Sequence, residues 1–150
     1  MIWNKPEMLS SVIDQSTKAE IDPALACAVV HGVSQWFPAS LNHSPDDLVP
    51  GFALDYAEAE GWQTTYGLFQ FTGQQARGVG YKGKFTDLLD PSLNILLGVE
   101  ILRNALRVTP KLDTGLIVYL NRGRAMMVPG IVSMIEPYQK LIAERPGGSL

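Results

Sequence analysis

The chain has 150 residues, 46% of them hydrophobic and 18% charged, which suits one globular domain with a sizeable core. Its net charge of −3 is uneven: residues 1–75 hold two Lys/Arg and nine Asp/Glu (−7), and residues 76–150 hold ten and six (+4). No apolar run approaches the ~20 residues of a membrane span, and no basic stripe interleaved with aromatics marks a nucleic-acid surface. The one cysteine, Cys27, allows no internal disulfide, and with His31 and His43 it offers no metal-ligand spacing.

The N-terminus, Met1 to Pro6, lacks the basic-then-apolar pattern of a signal peptide. The chain is therefore expected to be cytoplasmic as made, released by another route, or a piece of a larger protein. Pro6 to Lys18 reads as a first helix with Met8, Leu9, Val12 and Ile13 on one face. Asp22 to Pro38 carries the second. Asp22 is a good N-cap and Pro23 suits the first helical position. Leu25, Ala28, Val29, Gly32 and Trp36 recur at helical spacing, a stripe of mostly small residues that lets a neighbouring helix approach closely. The helix must end before Pro38.

Pro38 to Pro50, rich in Ser, Asn, Asp and Pro, reads as a surface loop. Phe52 to Glu60 reads as a short helix carrying Asp55, Glu58 and Glu60, stopped by Gly61. Thr64 to Phe71 alternates like a strand, enough for a small hairpin or an extended wall. Gly73 to Val79 suits one or two helical turns. Asp90-Pro91 repeats the cap-plus-proline signal, and the helix after it, with Leu93, Leu96, Leu97, Val99, Ile101, Leu102 and Leu106, is apolar on most sides and hence expected to be central. Leu112 to Leu120 is a further helix closed by Asn121 to Arg124. Pro129 to Glu144 is the last, with Ile131, Met134, Ile135, Tyr138, Leu141 and Ile142 inward. Residues 1–145 read as one domain and 146–150 as a tail. The fold class is all-α with at most a minor β hairpin.

Four pieces stand in order along this chain. They are Asp22-Pro23-Ala24-Leu25 through Ser34 and Pro38; Tyr66-Gly67-Leu68-Phe69-Gln70 followed by Ala76-Arg77-Gly78-Val79-Gly80; Leu89-Asp90-Pro91 with Asn94-Ile95 and Gly98; and Leu120-Asn121-Arg122-Gly123. Together, over roughly residues 10 to 125, they resemble the lytic transglycosylases of the soluble lytic transglycosylase type, relatives of goose-type lysozyme. The resemblance implies a lysozyme-like, two-lobed helical domain with a cleft for the peptidoglycan glycan strand. It also implies cleavage between N-acetylmuramic acid and N-acetylglucosamine by one glutamate that gives and then takes a proton, with no metal or cofactor. Carried over position by position, it points to Ser34, Tyr66, Gly67, Leu68, Gln70 and Asn121 as substrate-binding, with Tyr119 beside the expected tyrosine position.

The match breaks at its centre. The family's catalytic glutamate falls on Val33, which cannot transfer a proton, and the tyrosine of its fourth motif falls on Leu120. Tyr119 is adjacent, but one helical residue turns a side chain by ~100°. Three readings follow. The domain is a pseudoenzyme that binds glycan or serves structurally, as in a phage particle or secretion apparatus; or a relocated acid, Glu58 or Glu60 with Asp55 behind them, performs the chemistry; or Val33 is a replacement silencing an active enzyme. A partner protein in place of the glycan is the remaining alternative. The aromatics Trp36, Trp62, Phe69 and Phe71 suit either a sugar subsite or the core, and His31 is expected to be a hydrogen-bonded or surface residue.

Overall fold

The computed structural model describes residues 5–42, 61–120 and 124–145. The expected helix over 52–60 and the tail over 146–150 lie outside these residues. Helix α1 spans Lys5–Lys18 and buries Met8, Val12, Ile13 and Ser16. The Ser16 hydroxyl donates to the Val12 carbonyl at 2.6 Å, so its burial leaves no polar atom unmet.

Helix α2 spans Pro23–Ser34, with Pro23 in its first turn. The Asp22 carboxylate accepts the Ala24 N–H at 2.9 Å, as the cap signal implies. Seven consecutive residues, Ala24 to Val30, are each 7% exposed or less. The expected single stripe thus understates this helix: it is buried on every side and is the central rod of the fold. Its small residues are the reason. A Cβ added at Gly32 would lie 2.6 Å from Ile131 Cγ1, so the last helix passes α2 at a distance that only glycine allows.

A three-stranded antiparallel sheet of two-residue strands follows: β1 (Leu41–Asn42), β2 (Thr65–Tyr66) and β3 (Phe71–Thr72), in that order. Leu41 faces Tyr66 across the first pair, and Tyr66 faces Phe71 across the second. The β2–β3 hairpin matches the alternation of 64–71. Strand β1 corrects the expectation of a loop from Pro38 onward, because its pairing partner lies more than twenty residues away and leaves no local signal. Helix α3 (Gly73–Gly78) opens with a capping box in which Thr72 and Gln75 exchange side-chain and backbone hydrogen bonds.

A 3-10 turn (Phe85–Leu89) leads into α4 (Pro91–Arg107), where the Asp90 carboxylate accepts the Leu93 N–H at 3.1 Å. Helix α4 is less buried than a helix apolar on most sides was expected to be. It buries one face through Asn94, Ile95, Gly98, Val99, Ile101, Leu102 and Ala105, while Leu96 is 53% exposed. Helix α5 (Leu112–Leu120), a 3-10 turn (Arg124–Met127) and α6 (Val128–Ala143) complete the order. Helix α6 lies mainly along α2 and buries Val128, Ile131, Tyr138 and Ile142; Leu141, expected inward, is 41% exposed. Among the described residues no helix is long and apolar enough to cross a membrane.

The core contains one ionisable surprise. Burial in α2 pushes the Cys27 thiol from its usual value of 9.0 up to about 12. Below pH 9 the thiol is protonated whether the chain is folded or not. Between pH 9 and 12 the unfolded chain loses that proton and the folded one keeps it, so stability falls as pH rises, by about 1.4 kcal/mol per pH unit. Urea titrations between pH 8 and 10, below the range where the buried tyrosines contribute, are expected to show this decline, and Cys27→Ala to lessen it. The thiol of the folded protein is expected to resist alkylation at pH 8.

Candidate functional site

Val33 sits in the last turn of α2, half-buried and packed against the core. Beside it the Ser34 hydroxyl donates to the Val30 carbonyl at 3.0 Å and is itself buried. The chain then turns sharply. Gln35 caps the helix in the left-handed region (φ 51°, ψ 37°), its N–H donating to the His31 carbonyl, and Trp36 follows at φ 65°. Two successive side-chain-bearing residues in this region cost free energy, on the order of 1–3 kcal/mol each. The turn is held by what it accomplishes. Trp36 is driven into the core, and its indole N–H donates to the Tyr138 hydroxyl at 2.6 Å. His31 Nδ1 lies 3.2 Å from the same hydroxyl, so the expectation of a hydrogen-bonded histidine holds.

Past the turn, Phe37 points the other way and is 60% exposed. Its N–H donates to the Ser34 carbonyl at 3.0 Å, and its carbonyl accepts the Ser40 N–H at 3.2 Å. The Ser40 carbonyl in turn accepts the Gly67 N–H at 2.7 Å and the Gln70 side-chain amide at 2.9 Å. These bonds dock the end of α2 onto the Tyr66–Gln70 turn.

That turn is set by two buried amides. Gln70, at φ 49°, meets all four of its side-chain valences. Its Nε2 donates to the Ser40 and Gly67 carbonyls, and its Oε1 accepts from Asn42 Nδ2 and the Thr65 hydroxyl. Asn94, fully buried on α4, donates to the Tyr66 and Leu88 carbonyls at 2.8 and 2.9 Å and accepts the Phe69 N–H at 2.9 Å. Gly67 (φ 68°) is required twice over, by its left-handed backbone and because a Cβ there would sit 2.4 Å from Asn94 Nδ2. Leu68 and Phe69 are fully buried, and the Tyr66 hydroxyl donates to the Gly61 carbonyl at 3.2 Å.

Helix α5 closes the arrangement. Tyr119 is fully buried and its hydroxyl donates to the Phe69 carbonyl; burial holds that phenol well above its ordinary range. Leu120 is also fully buried. Gln75 donates to the Tyr119 carbonyl at 3.0 Å. The Arg124 guanidinium donates to the Leu120 carbonyl at 2.7 Å and the Gln70 carbonyl at 3.1 Å, pinning the end of α5 to the hairpin, and burial lowers its pKa.

The residues singled out from the sequence thus come together, but mostly as the wall behind the site. Ser34, Tyr66, Gly67, Leu68, Gln70 and Tyr119 are all buried, and the polar groups of Ser34, Tyr66, Gln70 and Tyr119 are bonded within the chain. Phe69 and Phe71 are core, Trp36 is core with one hydrogen bond, and Trp62 is half-buried against it. Glu58, Glu60 and Asn121 lie outside the described residues. Sequence reasoning missed Asn42 and Arg124 as bracing groups and Phe37 as the exposed ring. The adjacent pair Trp36-Phe37 before Pro38 held that last signal, since a tight turn sends neighbouring side chains to opposite sides.

Of the described elements packed near the end of α2, α6 carries one carboxylate, Glu136, which is exposed and lies 3.9 Å from Lys140 Nζ. On α2 the nearest is the cap Asp22, eleven residues back and about 16 Å along the axis. Segments 35–42, 61–72 and 124–127 contain none. Among the described residues there is also no group of three His, Cys, Asp or Glu able to hold a metal.

A buried central helix whose end is docked on a small antiparallel sheet, within an otherwise helical domain, defines an all-α lysozyme-like protein. Residues 10–127 match the transglycosylase SLT domain, and the chain belongs to that family. No curated protein and no solved structure matches it. The chain is therefore a peptidoglycan lytic transglycosylase-like domain.

Two substitutions test the wall. Asn94→Leu strands the Tyr66 and Leu88 carbonyls and the Phe69 N–H, and is expected to cost about 3 kcal/mol or more in urea unfolding. Tyr119→Phe removes one buried hydrogen bond and leaves the Phe69 carbonyl unmet, for an expected loss of about 1–3 kcal/mol.

Proposed function

We propose that this SLT domain recognises the peptidoglycan glycan strand without cleaving it by the acid–base chemistry of its family. The observation that supports this reading is Val33: an apolar side chain stands at the helix end where the family's resemblance places the proton-transferring carboxyl, and segments 35–42, 61–72 and 124–127 supply no other. General acid catalysis needs a group roughly 2.6–3.2 Å from the leaving oxygen, or one water away. An isopropyl group has no proton to give at any pH. The buried Leu120 supports the same reading, because the position that would carry the fourth motif's tyrosine is also apolar. The Gln70, Asn94 and Tyr119 side chains behind these two positions are hydrogen-bonded within the chain, so a glycan surface can persist where the reaction does not.

The test uses purified sacculi as both substrate and ligand. Incubation is expected to release neither 1,6-anhydro-muropeptides nor new reducing ends above blank by mass spectrometry, while the protein sediments with the sacculi. Turnover that disappears in Glu58→Gln or Glu60→Gln would overturn the proposal in favour of a relocated acid. Absence of both turnover and sedimentation would overturn it in favour of a scaffolding role. Val33→Glu is expected to bring measurable release of anhydro-muropeptides if the remaining framework holds a carboxyl in working geometry.

A further inference from the structure

We infer that Phe37 is a sugar-stacking platform, the point at which this domain holds one pyranose ring of the glycan; the inference rests on the glycan reading above. Phe37 is 60% exposed immediately beyond the α2 end that carries Val33 and Ser34. An exposed phenylalanine alone needs no explanation. This one is held outward by strain and bracing. The two left-handed residues before it turn the chain so that Trp36 goes inward and Phe37 outward. Trp36 is fastened through Tyr138, and Phe37 itself is bonded through both its N–H and its carbonyl, to Ser34 and Ser40. Ser40 is then fastened to Gly67 and Gln70. Because the backbone that carries the ring is already fixed, a ligand that covers it has little main chain to order.

The surroundings select the ligand. Exposed amide residues stand before and after it on the same short segment, Gln35 and Asn42, the latter also donating to Gln70, and Ala39 and Leu41 are the other exposed apolar residues of 35–42. A stable protein partner needs roughly 1,000 Å² of complementary surface. One exposed ring with amide residues before and after it along the chain is instead matched to a hexopyranose, whose C–H face is apolar and whose rim carries hydroxyl and N-acetyl groups that amides can bond. The strand is thereby gripped beside position 33.

Affinity for sacculi and for a soluble N-acetylglucosamine hexamer tests this, by co-sedimentation and by isothermal titration. Phe37→Ala is expected to weaken both about tenfold, the scale of one lost aromatic contact. Phe37→Trp is expected to retain affinity, and Val108→Ala, which trims an exposed apolar group at the end of α4, to leave it unchanged. Thermal melts of all three variants are expected to match the parent, since neither residue is in the core. Parent-like affinity in Phe37→Ala overturns the inference and leaves the glycan reading intact. An unaltered chain that binds neither ligand overturns both. Concentration-dependent self-association lost in Phe37→Ala, with glycan affinity unchanged, also overturns it and makes the ring a contact between copies.

Discussion

A primary amide removed from water costs several kcal/mol unless its donors and acceptors are met. Gln70 and Asn94 meet theirs entirely inside the chain, with seven hydrogen bonds between them. Because the partners come from the turn after α2, from β1, β2 and the β2–β3 turn, and from the segment before α4, no one of these pieces can shift without stranding a buried polar group. Arg124 and Tyr119 extend the same constraint to the end of α5 by bonding the Gln70 and Phe69 carbonyls. Segments with two-residue strands and little regular structure are made rigid by satisfaction rather than by length.

This bracing changes what position 33 means. A glutamate there would sit half-buried at the end of an apolar helix, where desolvation of the carboxylate opposes folding and raises the pKa that catalysis requires. Valine replaces that cost with a favourable burial of about 1–2 kcal/mol. On the reading proposed for position 33, stability and proton transfer make opposite demands on this side chain, and here the sequence meets the first. The neighbouring wall is indifferent to the choice, since its bonds run among Ser40, Gln70, Asn94 and Tyr119 and none involves the Val33 side chain.

The helices were legible because their signals are local: Asp22-Pro23 and Asp90-Pro91 cap within three residues, and Thr72 with Gln75 does the same. Strand β1 was not, because Leu41 and Asn42 are extended only by virtue of partners at 65–66. The all-round burial of α2 is not visible in a single periodic stripe, because its small residues are what allow neighbours on every side. At the candidate site, the matched pieces marked positions that the fold brings together without saying which way each side chain faces. Tyr66, Leu68, Gln70 and Tyr119 face inward, whereas Phe37 lies between matched positions and faces out.

Helix α6 completes the dependence from outside the matched stretch. The family match ends at Met127, and α6 begins at Val128. Yet α6 covers α2 along much of its length, meets Gly32 with Ile131, and offers the Tyr138 hydroxyl that holds Trp36 inward. Without that hydroxyl the indole N–H would be buried unmet, and the left-handed pair Gln35-Trp36 would have nothing to offset its strain. The orientation of Phe37 is therefore fixed from two sides. Gln70 anchors the turn through Ser40, and Tyr138, about a hundred residues further along the chain, anchors it through Trp36. The segment beyond the matched stretch thus sets which way the exposed ring faces.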